Sequence, residues 1–156
     1  LQAGRDEAAG SLRPHPAVSV AVPPQKDVLL PLEQQSLCPR SNLAYHDYEV
    51  VALREGEKAR LQKDLGNNYF MLLRNHGLLT TGGSIADAFL GMYILQRACE
   101  VQIQALSGNR EMTPIPAGIV DTIRQQAEQV TRGMGGQLAW PGLLRKLDRI
   151  DTGFRD

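Results

Sequence analysis

Two apolar runs, Tyr69-Phe70-Met71-Leu72-Leu73 and Gly77-Leu78-Leu79-Thr80-Thr81, stand only three residues apart, and this spacing constrains the fold more than any other feature. Runs of that length and content read as buried strands, and so short a join makes them neighbours. Asn75-His76 lies at the bend, which puts His76 at a strand end, an exposed place where chemistry is often mounted. Gly82-Gly83 then breaks the pattern. Ser84, with Asp87 three residues later, resembles a capping box with Asp in place of Glu or Gln. Ile85, Ala88, Phe89, Met92, Leu95, Cys99 and Ile103 follow at spacings of three and four. That spacing predicts a helix from Ile85 to about Leu106 with one broad apolar face.

Upstream, residues 1–16 read as irregular, punctuated by Gly4, Gly10, Pro14 and Pro16. Ala17 to Val22 is small and β-branched, a strand candidate closed by Pro23-Pro24. Glu33 to Leu37 can form one helical turn, and Leu43 to Val51 a further strand. Glu55 to Leu65 suits a surface helix with Ala59, Leu61 and Leu65 as its apolar residues, stopped by Gly66 and Asn67. Downstream, Ile119 to Met134 and Pro141 to Ile150 carry helical stripes. Strands come first and helices collect at the end, the order of a layered α/β or α+β domain. Three or four strands make a small sheet with open edges, which a missing N-terminal half would complete.

A length of 156 residues suits one domain. Seventeen basic and seventeen acidic side chains cancel and are interspersed, so nothing draws the chain toward nucleic acid or an acidic membrane surface. No apolar run reaches the roughly 18 residues of a membrane span. Cys38 and Cys99 are far apart in sequence and Cys99 falls on an apolar helix face, which points to free thiols and a reducing, cytoplasmic setting. The chain starts at Leu1 without a Met or a signal layout, and reads as processed, truncated or only partly represented.

The histidines are His15, His46 and His76. A metal site needs several ligands converging in space. His15, between Pro14 and Pro16, reads as a loop histidine. His46, beside Asp47 and Glu49, reads as an exposed strand histidine near carboxylates. His76 is the best candidate for chemistry, although composition alone leaves it open between a structural turn residue and a ligand. Gly77 after it suggests a backbone that turns or is approached closely. Gly82-Gly83-Ser84 lacks the Lys-Ser/Thr ending of a phosphate loop and the spacing of a dinucleotide fingerprint, and reads as a cap. No nucleophile elbow is visible.

Arg74-Asn75-His76-Gly77-Leu78-Leu79, Gly82 and the helix through Glu100 resemble the third metal-histidine strand and following helix of class II aldolase/adducin proteins. Gln25-Lys26-Asp27 with Leu29-Leu30-Pro31, Tyr45-His46-Asp47-Tyr48-Glu49, and the ending from Trp140-Pro141 to Asp148 resemble the same family, in the same order. The resemblance covers residues 13–156, taken as a partial domain after an irregular segment 1–12. It implies a three-layer α/β/α fold around a mostly antiparallel sheet, with the N-terminal part missing or degenerate. It also implies a homo-oligomer, a tetramer in catalytic members, and a divalent metal, often zinc, on three histidines. The metal would act as a Lewis acid on a carbonyl or enediolate oxygen. By resemblance, His76 matches the third metal histidine and His15 the second, while the first falls on Arg13, which stays protonated and cannot ligate. The upstream catalytic glutamate and phosphate loops have no counterpart, so no catalytic residue is assigned.

Three functions follow from the resemblance. One is a truncated class II aldolase/adducin-like domain without intact aldolase activity. Another is a metal-dependent lyase, or a related decarboxylase or epimerase, acting on a small hydroxy-carbonyl or sugar. The third is an adducin-like, non-catalytic interaction protein.

Overall fold

The structure is a computed structural model that describes residues 10–13, 21–23, 29–48, 55–131 and 135–155. Strand β1 is Gly10–Leu12, helix α1 Gln34–Arg40, strand β2 Leu43–His46, helix α2 Glu55–Leu65, strand β3 Phe70–Leu73 and strand β4 Gly77–Gly82. Three helices follow: α3 Ile85–Ser107, α4 Ala117–Thr131 and α5 Trp140–Ile150. Short 3-10 turns at Gly135–Leu138 and Gly153–Arg155 were not expected from sequence. Strand β1 lies inside the segment read as irregular. The strand expected over Ala17 to Val22 falls mostly outside the described residues.

The sheet order is β1-β4-β3-β2. Both β1–β4 and β3–β4 pair antiparallel, while β2–β3 pair in parallel, so the sheet is mostly antiparallel but mixed. Residues Arg74 to His76 close the β3–β4 hairpin, with His76 N–H donating to Leu73 O at 3.0 Å. The left-handed residue of this turn is Asn75, at φ 53°, and not Gly77, which pairs with Leu73 inside the ladder. Asn tolerates that region better than most non-glycine residues.

Strand β3 explains the layering. All its residues are buried, so both faces of the sheet are covered. Phe70 and Leu72 join Leu78, Met92, Leu95, Ala98 and Cys99 in one core, on the α3 side. Met71 and Leu73 join Ala44, Leu61, Leu65 and Leu79 in a second core, on the α2 side. Adjacent strand residues point to opposite faces, so one strand feeds two cores and the fold is a three-layer α/β/α arrangement. The face that α3 buries runs through Ala88, Met92, Leu95, Cys99 and Gln102. Ile85 and Phe89, expected on it, are 61% and 39% exposed, and Phe89 instead meets Trp140 edge-on at 5.6 Å. Cys99 is a buried free thiol as expected, and burial, with Glu100 adding to it, pushes its pKa up to about 12.

The helix starts are fixed by side chains. Ser84 caps α3 by accepting from Asp87 N–H at 3.1 Å. The reciprocal half of the expected capping box is replaced: Asp87 takes the Ser84 hydroxyl at 2.6 Å and the Gly136 N–H at 2.9 Å. A full capping box occurs instead at α1. There Glu33 accepts from Gln35 N–H and Ser36 N–H, and Ser36 Oγ accepts from Glu33 N–H.

Candidate functional site

The β3–β4 turn, the end of β2, the first turns of α2 and Arg13 after β1 meet at one corner of the sheet. The parallel register sets His46 opposite Leu73, and Arg74 N–H donates to His46 O at 2.9 Å. The antiparallel register brings Leu12 opposite Thr80, which carries Arg13 along β4 toward the turn. Arg13, His46, Asp47, Tyr48, Glu57, Leu61, Leu73, Arg74 and His76 therefore line one small cavity of about 10 Å³.

His76 is half-buried at the cavity rim. Arg13 Nη2 lies 2.6 Å from His76 Nε2 and 3.2 Å from Nδ1. A guanidinium only donates, so the shorter contact makes Nε2 an acceptor whose lone pair is spent on Arg13. Tyr48 meets the same ring edge-on at 6.4 Å. Arg74 is turned away from His76: its guanidinium lies 5.4 Å over the Tyr45 ring, with Nε 3.2 Å from Asp47 Oδ1. Burial pushes the Tyr45 phenol up, opposed by the nearby cations Arg40 and Arg74.

His46 departs from its sequence reading. It is 5% exposed, and its Nδ1 is 2.7 Å from Asp64 Oδ2 on α2. Alternation along β2 turns it to the same side as Ala44, against α2, and Asp64 stands on α2 beside it. Glu57, Leu61 and Leu65 are buried on that helix, whereas Ala59, expected on its apolar side, is exposed. Glu57 and Asp64 were missed from sequence. The available signal was spacing: residues 57, 61, 64 and 65 fall on one helix face, so two carboxylates share the stripe of the core leucines.

His15 lies outside the described residues. Among the described residues, no group of three His, Cys, Asp or Glu side chains is placed to hold a metal. The chemistry around His76 itself argues against a fit. Its accessible lone pair faces a permanent cation at hydrogen-bond distance, where a dication would be repelled and the donor is already used.

Comparison with known proteins gives this corner its family context. The family described as "Class II Aldolase and Adducin N-terminal domain" matches residues 6–103. A Pseudomonas aeruginosa protein named "Putative aldolase class 2 protein" is 58% identical over 147 residues, covering 92% of this chain and 57% of that protein. Mouse gamma-adducin is 32% identical over 163 residues, covering 90% of this chain and 22% of its own length. The crystal structure of an aldolase II superfamily protein from Pseudomonas syringae superposes with a TM-score of 0.91 at 39% identity, covering 99% of this chain and 62% of that one. The chain thus spans less than two thirds of the length of these relatives. A family match across both cores of the sheet, with high identity to relatives over nearly all its residues, means that the chain belongs to the class II aldolase and adducin family.

Proposed function

We propose that this chain is a class II aldolase/adducin-type domain without the family's metal-dependent aldol cleavage, serving as a fold and self-association module. The observation that carries the reading is the Arg13–His76 contact of 2.6 Å at the position where the family resemblance implies a metal ligand. A structural zinc needs four ligands and a catalytic one three with an open position. A histidine held by a guanidinium offers neither. Homo-oligomerisation is part of the proposal, because among the described residues β1 and β2 stand at the sheet edges, and open edges favour pairing with another chain.

The test is equilibrium dialysis against zinc followed by metal analysis, alongside an assay for cleavage of hydroxy-carbonyl substrates. The reading expects far less than the roughly one zinc per chain of an intact site, and no metal-dependent cleavage. Stoichiometric zinc with cleavage that His76→Ala abolishes would overturn it in favour of the lyase, decarboxylase or epimerase reading. The match to gamma-adducin supports a second reading, a non-catalytic interaction domain. Co-sedimentation with actin checks that reading, and no pelleting above background removes it.

A further inference from the structure

Among the described residues, two that line the cavity at the turn each carry a buried polar side-chain atom without a partner. These atoms are Arg13 Nε and His46 Nε2. Their chemistry is complementary. Arg13 Nε–H is a donor and nothing else. His46 Nδ1 is 2.7 Å from Asp64 Oδ2, so the proton of a neutral ring sits on Nδ1 and Nε2 is left as an acceptor. Both residues line the same cavity, whose volume of about 10 Å³ is roughly what one water-sized group occupies. Buried polar atoms in native folds are nearly always satisfied, so an orphan donor and an orphan acceptor on residues lining one space of that size point to what fits there.

We propose that this cavity is a binding site for a single hydroxyl group, with the hydroxyl oxygen accepting from Arg13 Nε–H and its hydrogen donated to His46 Nε2. A hydroxyl is the smallest group that both accepts and donates. A carboxylate oxygen would satisfy Arg13 but face the His46 lone pair, and a methyl would satisfy neither atom. Glu57, 8% exposed, also lines the cavity and adds a second acceptor for a donating group. The ligand class is a small alcohol-bearing molecule, such as a hydroxy acid or polyol, that presents one hydroxyl at the corner where Tyr48 and His76 form the outer wall. Water has the same chemistry and fills the site in the ligand's absence. The inference goes beyond the proposed loss of aldol cleavage: it concerns atoms of Arg13 and His46 that the His76 contact does not use.

Nitrogen-15 and proton spectra of the imidazoles, recorded with chelator present, test this on the full chain. The Nδ1–Asp64 contact places a proton on Nδ1 and leaves Nε2 bare in the free protein; a proton found on Nε2 overturns the proposal. Glycolate and acetate, which differ by the hydroxyl, are then titrated separately. Glycolate should shift the His46 Nε2 resonance in a saturable way, with acetate weaker by about tenfold, the loss expected for one unmade hydrogen bond. Equal responses to the two probes, or no response of His46 to glycolate, overturn the hydroxyl site and leave water as the occupant. Arg13→Lys, which keeps the charge but removes the Nε donor, should reduce the glycolate response by a similar factor; an unchanged response also overturns it. Should that variant not fold, the glycolate–acetate comparison on the unaltered chain decides. Zinc binding is measured without chelator, so failure of the zinc prediction and failure of the hydroxyl prediction are separate results.

Discussion

Asp87, in the first turn of α3, accepts the N–H of Gly136, which lies 49 residues further along the chain, at 2.9 Å. The same carboxylate takes the Ser84 hydroxyl, so one side chain closes the helix start and pins the 3-10 turn that precedes α5. The approach is close: a Cβ on Gly136 would lie 2.1 Å from the Ala86 carbonyl oxygen. Backbone cannot yield as a flexible side chain can. Gly136→Ala is therefore expected to destabilise the domain by more than about 2 kcal/mol, read as a fall in the urea midpoint. Asp87→Ala removes a partner from both ends and is expected to cost about 1–2 kcal/mol.

The two cores should respond separately to truncation. Leu95 belongs to the α3-side core and Met71 to the α2-side core, and both are 0% exposed. Leu95→Ala and Met71→Ala are each expected to cost about 2–5 kcal/mol. Their effects should add to within about 0.5 kcal/mol if the sheet insulates the two layers. Denaturation of the single and double variants supplies the cycle.

Asp64 is the anchor of His46. Its removal leaves an imidazole N–H buried at 5% exposure with no acceptor. Asp64→Ala is expected to cost about 1–3 kcal/mol and to release the ring from a single tautomer. The imidazole nitrogen shifts check the second effect, which simple loss of packing would not produce.

Cys99 gives a pH dependence with a definite sign. Burial first, and Glu100 second, raise its pKa from the ordinary 9.0 to about 12. Between those values the unfolded chain has lost the thiol proton while the folded chain keeps it. The folded state then binds more protons, so stability falls as pH rises through this window and is unaffected below it. Urea midpoints between about pH 8 and pH 11 should decline in the native chain. Cys99→Ala should remove the part of the decline that this thiol contributes. At neutral pH Cys99 should react far more slowly with a thiol reagent than the half-buried Cys38.

Much of the frame was legible in sequence, because it follows from local periodicity. The β3–β4 hairpin, the start of α3 and the extents of α2 and α5 all match what apolar spacing and breakers dictate. What sequence did not disclose depends on contacts between distant segments. Strand β1 was hidden because Gly10-Ser11-Leu12 carries no β-branched signal, and it exists by pairing with β4. His46 was read as exposed because its neighbours Asp47 and Glu49 are charged, yet the strand alternation turns it inward to Asp64. Family resemblance singled out Arg13 and His76, but their hydrogen bond joins residues 63 positions apart, which no local pattern reveals. The second metal residue implied by resemblance, His15, lies outside the described residues.

The order β1-β4-β3-β2 also bears on how the sheet is assembled in time. Its central pair, β3 with β4, is joined by a three-residue loop, whereas its outer pairs unite residue 10 with residue 82 and residue 43 with residue 70. Closing the short loop sacrifices little chain entropy and is the fastest of these events. The hairpin can thus form before either edge arrives. The turn bearing His76 is then among the first structures made, and the cavity around it is completed only when Arg13 and β2 dock, so the rate of that docking sets how soon the corner acquires its chemistry.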